Sequence, residues 1–281
     1  MSTFVHFLNV GQGNMSFIET TDGRVYFFDC NITDEREDEI LEYIAEQIGW
    51  GATIDAFICS HRDADHMRGI RTLHEYFPIR SIWDSDYPGT TTNTPEYAAY
   101  MDLRRRVGAK VLQKQRRFNL GRTRLRILSA ADDRLDENAN AQGIVIKVEH
   151  LKPGGSVPGS SAMLTGDSDA ETWRYGILAD YAKDDISCDI LVAGHHGSIS
   201  FFDDPADTDH YYTGHVEAMS PAMTLVSVGN NPHGHPDKKA LELYETYSRG
   251  SKKGNKIYRT DKKGTMKLEL KDAGWHLKSN Q

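Results

Sequence analysis

Ser60-His61-Arg62-Asp63-Ala64-Asp65-His66, followed by Gly69, is the stretch that decides how this chain reads. Two imidazoles and two carboxylates fall within six residues. They come directly after Ile54-Asp55-Ala56-Phe57-Ile58-Cys59, an apolar run that reads as a buried strand. A strand that ends on such a cluster places it on a loop at its C-terminal end, where layered α/β folds carry their chemistry. Bringing so many polar groups out of water together is costly unless a multivalent cation gathers them.

Three further strand-like runs end in the same way. Leu164-Thr165-Gly166-Asp167 delivers a carboxylate, and Leu191-Val192-Ala193-Gly194-His195-His196-Gly197-Ser198 delivers two imidazoles. Thr224-Leu225-Val226-Ser227-Val228-Gly229 leads into Asn230-Asn231-Pro232-His233-Gly234-His235-Pro236. Each Asp or His taken singly is equally a cap or a satisfied core group. Together, at the ends of strands lying side by side, they suit a two-metal site in which one carboxylate bridges the ions and a bound water is activated.

Outward from these runs, the chain alternates short strands and helices. A hairpin is expected from Met15–Glu19 and Val25–Asp29 around Thr21-Asp22-Gly23. Helical spacing appears over Asp34–Gly49, Met67–Tyr76, Pro95–Val107, Ala170–Ala182 and Asp237–Tyr247, and Tyr87–Thr94 is a Gly/Thr/Pro-rich loop. Lys256–Arg259 with Thr265–Leu270 reads as a final hairpin. The pattern predicts two sheets packed face to face with helices outside, as a single domain over residues 1–281.

The 281 residues carry a formal charge of −8, with 26% charged and 38% hydrophobic residues, an ordinary balance for a soluble globular chain. That charge argues against indiscriminate nucleic-acid binding by the whole surface but leaves room for a local basic patch. Cys30, Cys59 and Cys188 lie in or beside apolar runs without metal spacing, so reduced core thiols in a cytoplasmic protein are expected. The N-terminus MSTFVHFLNV lacks the basic and apolar regions of a signal peptide, and no run approaches membrane-spanning length.

These motifs resemble the metallo-β-lactamase superfamily and, more narrowly, the hydrolase domain of ComEC-type DNA-uptake channel proteins. The resemblance runs through Phe7–Asn14, Phe28-Asp29, the Ser60–Gly69 cluster, Leu164–Asp167, Gly194–Ser198, Gly234-His235-Pro236 and Tyr258–Gly264. It implies an αββα four-layer sandwich with two divalent ions, zinc or manganese, at one edge. His61 and Asp63 would hold the first ion, Asp65 and His66 the second, and Asp167 would bridge. His195 would complete the second site. Asp65, His196 and His235 would serve catalysis, with His196 facing substrate or donating a proton, and Asp29 would orient the ligand loop from behind.

Two departures from the family pattern stand out. Asp63 replaces an imidazole, which hardens the site toward oxygen-preferring ions such as manganese or magnesium. The histidine usually found between the first cluster and the bridging aspartate is absent, and Asn138, Asn140 and His150 occupy that interval.

The most basic part of this acidic chain is Arg104-Arg105-Arg106, Lys110, Lys114, Arg116-Arg117, Arg122, Arg124 and Arg126, with a second patch at Lys252-Lys253, Lys256 and Lys262-Lys263. Near the site, Arg104–Arg106 would track a phosphate backbone, although a solvated face is the commoner use of such a run. Ser198 would hydrogen-bond a phosphate oxygen. Tyr211-Tyr212 and Phe201-Phe202 would stack on bases or pack their own loop down. The expected function is a metal-dependent phosphodiesterase, foremost a DNA nuclease with nucleic acid as its partner. Alternatives are hydrolysis of a small phosphoester, nucleotide or lactone, and a non-catalytic binding module with a degenerate metal site.

Overall fold

The computed structural model describes residues 1–204, 206–249 and 256–280. Two sheets face each other. The first runs, edge to edge, Trp275–Ser279, Met266–Leu270, Thr3–Phe7, Ser16–Glu19, Val25–Phe28, Ala56–Ile58, Ile82–Asp84 and Ala109–Val111. The second runs Ile257–Arg259, Met223–Val226, Ile190–Val192, Pro158–Leu164, Val145–Leu151, Thr123–Ser129 and Arg117–Leu120. Both sheets are mixed.

The near-continuous apolar strands follow from both faces being covered, since successive side chains point to opposite sides. Ile18, Phe28 and Ile58 pack inward with Leu125, Ile127, Ile146 and Leu164 between the sheets. Their sequence neighbours Phe17, Phe27 and Phe57 point outward to Ile40, Ile44, Leu73 and Leu103 of the helices Glu37–Ile48, Ile70–Tyr76 and Pro95–Val107. On the far side Leu128, Val145, Met163 and Leu191 meet Trp173, Ile177, Val216 and Tyr244. Three apolar layers thus separate helix, sheet, sheet and helix. This is the expected αββα order.

Three local expectations need correction. Ile257–Arg259 and Met266–Leu270 do not form a hairpin: the first pairs in parallel with Met223–Val226, while the second joins Thr3–Phe7 in the other sheet. The helix expected over Met67–Tyr76 breaks at Arg68 and Gly69, leaving Ala64–Met67 and Ile70–Tyr76. The helix expected over Ala170–Ala182 is wound as a π-helical segment, Thr172–Ile177, before a short α turn, Leu178–Asp180. Among the described residues no helix is long and apolar enough to cross a membrane.

The parallel pairs matter for function. Val25–Phe28 runs parallel to Ala56–Ile58, and Pro158–Leu164, Ile190–Val192 and Met223–Val226 are mutually parallel. Their C-terminal ends therefore lie together, and the polar motifs begin there.

Candidate metal centre

Asp167 is the hub. Its Oδ1 lies 3.1 Å from His66 Nε2 and 3.4 Å from His196 Nε2, while its Oδ2 lies 3.6 Å from His195 Nε2 and 4.0 Å from His61 Nε2. One oxygen thus faces each of two groups. On the Oδ2 side Asp63 Oδ2 stands 3.7 Å from His61 Nε2. On the Oδ1 side Asp65 stands 3.3 Å from His196 Nε2 and 3.9 Å from His66 Nε2.

Every imidazole is held from behind by its other nitrogen. His66 Nδ1 donates to Asp29 Oδ2 at 2.8 Å, and His196 Nδ1 donates to the Ser227 carbonyl at 3.0 Å. Since carboxylate and carbonyl can only accept, the neutral rings keep their proton on Nδ1 and turn the Nε2 lone pair inward, free for an ion once the second proton is displaced. His61 Nδ1 sits 3.1 Å from Ser60 Oγ, and His195 Nδ1 sits 3.0 Å from Ser200 Oγ. Asp29 also takes the Ser60 backbone N–H (2.7 Å) and hydroxyl (2.8 Å) and the Asn14 amide (3.3 Å).

His66 Nε2, His196 Nε2 and Asp167 Oδ1 are buried yet have no hydrogen-bond partner despite their proximity. Buried donors and acceptors that approach this closely without bonding one another form a set that a cation would satisfy. The ligand atoms of His61, His66 and Asp167 lie within 4.8 Å of one another, and so do those of Asp65, His66 and His196. The donor set fits divalent ions.

Electrostatics support the same reading. Burial disfavours charge on His66 and His196, but Asp167 and the neighbouring carboxylates outweigh it and raise the proton affinity of both rings, His66 well above the ordinary value. Burial and the adjacent His66 push His61 down. Burial likewise opposes ionisation of Asp167, yet His66, His196 and His195 hold its carboxyl well below the usual range. In the metal-free chain protons balance this excess of carboxylate charge; a bound cation would displace them.

The backbone is bent to serve the site. His195 (φ 47°) and His196 (φ 54°) both adopt the left-handed region, a strained choice for two successive non-glycine residues, and Asp29 does so too (φ 61°). The double turn throws the two rings to opposite sides of Asp167, so His196, rather than His195, joins Asp65 and His66.

The structure gathers Asp29, His61, Asp63, Asp65, His66, Asp167, His195 and His196. His235 stands at the rim, its ring centroid 5.5 Å from that of His195. Ser198 sits one step removed, accepting from the Ser200 hydroxyl (3.1 Å) that meets His195. His150 lies at the far end of Val145–Leu151, bonded to Thr3 and facing Asp272. Sequence reasoning missed the Ser60 hydroxyl and the Ser227 carbonyl, whose roles depend on distant residues. It also missed Thr90 N–H, which donates to Asp63 Oδ1 at 2.7 Å.

The basic run is largely taken up by ion pairs. Arg104 bonds Asp84 (2.8 Å) and Asp86 (2.7 Å), where Arg62 also ends. Lys114 meets Asp132 and Asp180, Arg122 meets Asp272, and Arg124 and Arg126 share Glu149. Arg105 and Arg106 remain mostly exposed beside Asp102. Lys252 and Lys253 of the second patch lie outside the described residues. Phe201 and Phe202 are fully buried against His215 and Tyr244, so they pack the loop down.

The family model for the metallo-β-lactamase superfamily matches residues 8–169. This chain belongs to that superfamily. No curated protein matches its sequence. Among solved structures, it is similar to CmlA, a diiron β-hydroxylase from Streptomyces venezuelae (13% identity, TM-score 0.57), over 96% of this chain and 54% of that one. The chain thus spans about half the length of that enzyme. It is also similar to Igni18, a metallo hydrolase from Ignicoccus hospitalis (11%, TM-score 0.54, 95% and 100% covered). A third likeness is to a diphosphatase of the PhnP family (13%, TM-score 0.51, 96% and 99% covered). At these identities the likeness is one of fold.

Proposed function

We propose that this metallo-β-lactamase-fold hydrolase is a dinuclear phosphodiesterase acting on DNA. The observation that carries the reading is the division of Asp167, with Oδ1 turned to His66 and His196 and Oδ2 to His61 and His195. His61, Asp63 and Asp167 would hold one ion; Asp65, His66, His196 and Asp167 would hold the other. The Asp63 carboxylate favours manganese beside zinc. Bound ions would lower the pKa of a water and stabilise charge on the attacked phosphoryl group and leaving oxygen.

The chain's own groups supply the rest. With His196 assigned as a ligand, the proton-donating role falls to the rim pair His195 and His235. The Ser200 hydroxyl donates to Ser198, so His195 Nδ1 donates to Ser200 and Nε2 presents its lone pair to the site, where it would take up a proton from water and pass it to the departing oxygen. Asp63, Asp65 and His195 keep 25%, 32% and 28% of their side-chain exposure, so the centre opens to solvent, and an extended strand would approach it from there. Arg105 and Arg106, mostly exposed beside Asp102, would meet its phosphates.

A small phosphoester is the second reading, favoured by the commitment of Arg104 to Asp84 and Asp86. Linear and circular DNA, incubated with added manganese or zinc beside bis(p-nitrophenyl) phosphate, separate the two. Cleavage of DNA is expected. Turnover of the small diester with DNA left intact would select the second reading, and inertness toward both would reject phosphodiester chemistry.

A further inference from the structure

The turn ahead of Val145–Leu151 occupies the interval in which a ligand was sought, and its three candidates have separate fates. His150 is engaged at the opposite end of its strand. Asn138 caps its own turn, its Oδ1 accepting from Ala141 N–H at 2.8 Å and its carbonyl from Gln142. Asn140 Oδ1 is buried and has no hydrogen-bond partner.

The turn is pinned beside the first histidine. Ile144 N–H donates to the Ser60 carbonyl at 2.8 Å. A β-carbon at Gly143 would stand 3.0 Å from the Asn140 carbonyl and 3.5 Å from that of Ser60, so both residues flank one α-carbon. On the other side, Ser60 crowds Gly166, next to Asp167. The turn that carries Asn140 therefore abuts Ser60, the residue that precedes His61 and packs against Gly166 beside Asp167. A buried acceptor left unmatched is destabilising, and such a group calls for a partner such as an ion or water.

We propose that Asn140 Oδ1 is a further ligand of the ion held by His61, Asp63 and Asp167. This rests on the two-ion reading above and completes the group with fewer imidazoles. An amide oxygen is a neutral hard donor, which with Asp63 biases that position toward manganese or magnesium over zinc.

The test is manganese binding to the full chain stripped by chelation, followed by electron paramagnetic resonance of free ion, with thermal denaturation of the metal-free proteins alongside. Wild type should bind two ions. Asn140→Ala should keep one with unchanged affinity and bind the other at least about tenfold more weakly. Asn140→Asp should restore the weakened site. The metal-free Ala variant should melt no lower than wild type, since truncation removes an unpartnered acceptor. If it melts lower yet binds both ions as wild type does, Asn140 is structural and the proposal is overturned. Two ions bound identically by wild type and variant overturn this assignment alone. No ion bound by wild type overturns the metal reading with it.

Discussion

His66 Nδ1 and Asp29 Oδ2 stand 2.8 Å apart, fully buried, and that hydrogen bond decides which nitrogen of His66 faces Asp167. Asp29 can only accept, so the proton stays on Nδ1 and Nε2 remains a ligand. An Asp29→Asn substitution keeps the shape and tolerates the left-handed backbone, but it offers an N–H₂ that drives the proton to Nε2. Ion affinity should fall by about 10–100-fold with the fold retained. Calorimetric titration of zinc, with circular dichroism as the control, measures this; unchanged affinity would show that the tautomer is set elsewhere.

Gly89 carries a second support. A β-carbon there would stand 2.1 Å from the Arg62 carbonyl and 3.1 Å from Asp63 Oδ1. The loop must back away in Gly89→Ala, and Thr90 N–H leaves Asp63 with it. A loss of about 1–3 kcal/mol in stability is expected from such overpacking. Weaker binding at the Asp63 side should accompany it. Denaturant unfolding of the metal-free protein and ion stoichiometry read the two effects; a variant matching wild type in both would mean that the loop yields freely.

What the sequence made legible was what neighbouring residues decide. Pro95–Val107 is bounded as its signals say, by the Thr94 cap, the proline and Gly108. The cluster at 61–66 and the terminal Asp167 were visible because each follows its own strand directly. The partnership of Ile257–Arg259 was not, because sheet membership is set by Met223–Val226, more than thirty residues away. His195 and His196 differ by one position, and two left-handed φ values, unreadable from composition, decide their directions. The basic run looked free because its counterions, Asp180, Asp185 and Asp272, are remote in sequence.

That pairing changes how nucleic-acid binding should be tested. Arg104→Ala removes a partner from Asp84, which is 2% exposed and keeps Arg62 and Tyr100, so about 1–3 kcal/mol of stability should disappear. Arg105→Ala and Arg106→Ala should stay within about 0.5 kcal/mol. The proper probe is therefore Arg105→Glu with Arg106→Glu. If those residues meet phosphates, the slope of log affinity against log salt should become shallower by about 0.7–0.9 for each phosphate no longer neutralised. Fluorescence anisotropy with labelled DNA across a salt series gives the slope, and an unchanged slope would remove this segment from the binding surface.

His215 is fully buried among Trp173, Phe201, Phe202 and Tyr212, and neither ring nitrogen has a hydrogen-bond partner. Burial lowers its pKa to about 3, little offset by the nearby Phe201 backbone. The folded chain therefore keeps the ring neutral at pH values where the unfolded chain, near 6.5, takes up a proton. Its contribution is fully present above pH 6.5 and is lost as pH falls toward 3, by up to about 1.4 kcal/mol per unit. His215→Phe should remove that part of the acid sensitivity. Comparing metal-free wild type and variant by denaturant unfolding at pH 7.5 and 5.5 cancels the titration of the histidines around Asp167, which both proteins share. The stability difference should move in favour of the variant on acidification; a constant difference would mean that His215 accepts a proton in the folded chain as readily as in the unfolded one.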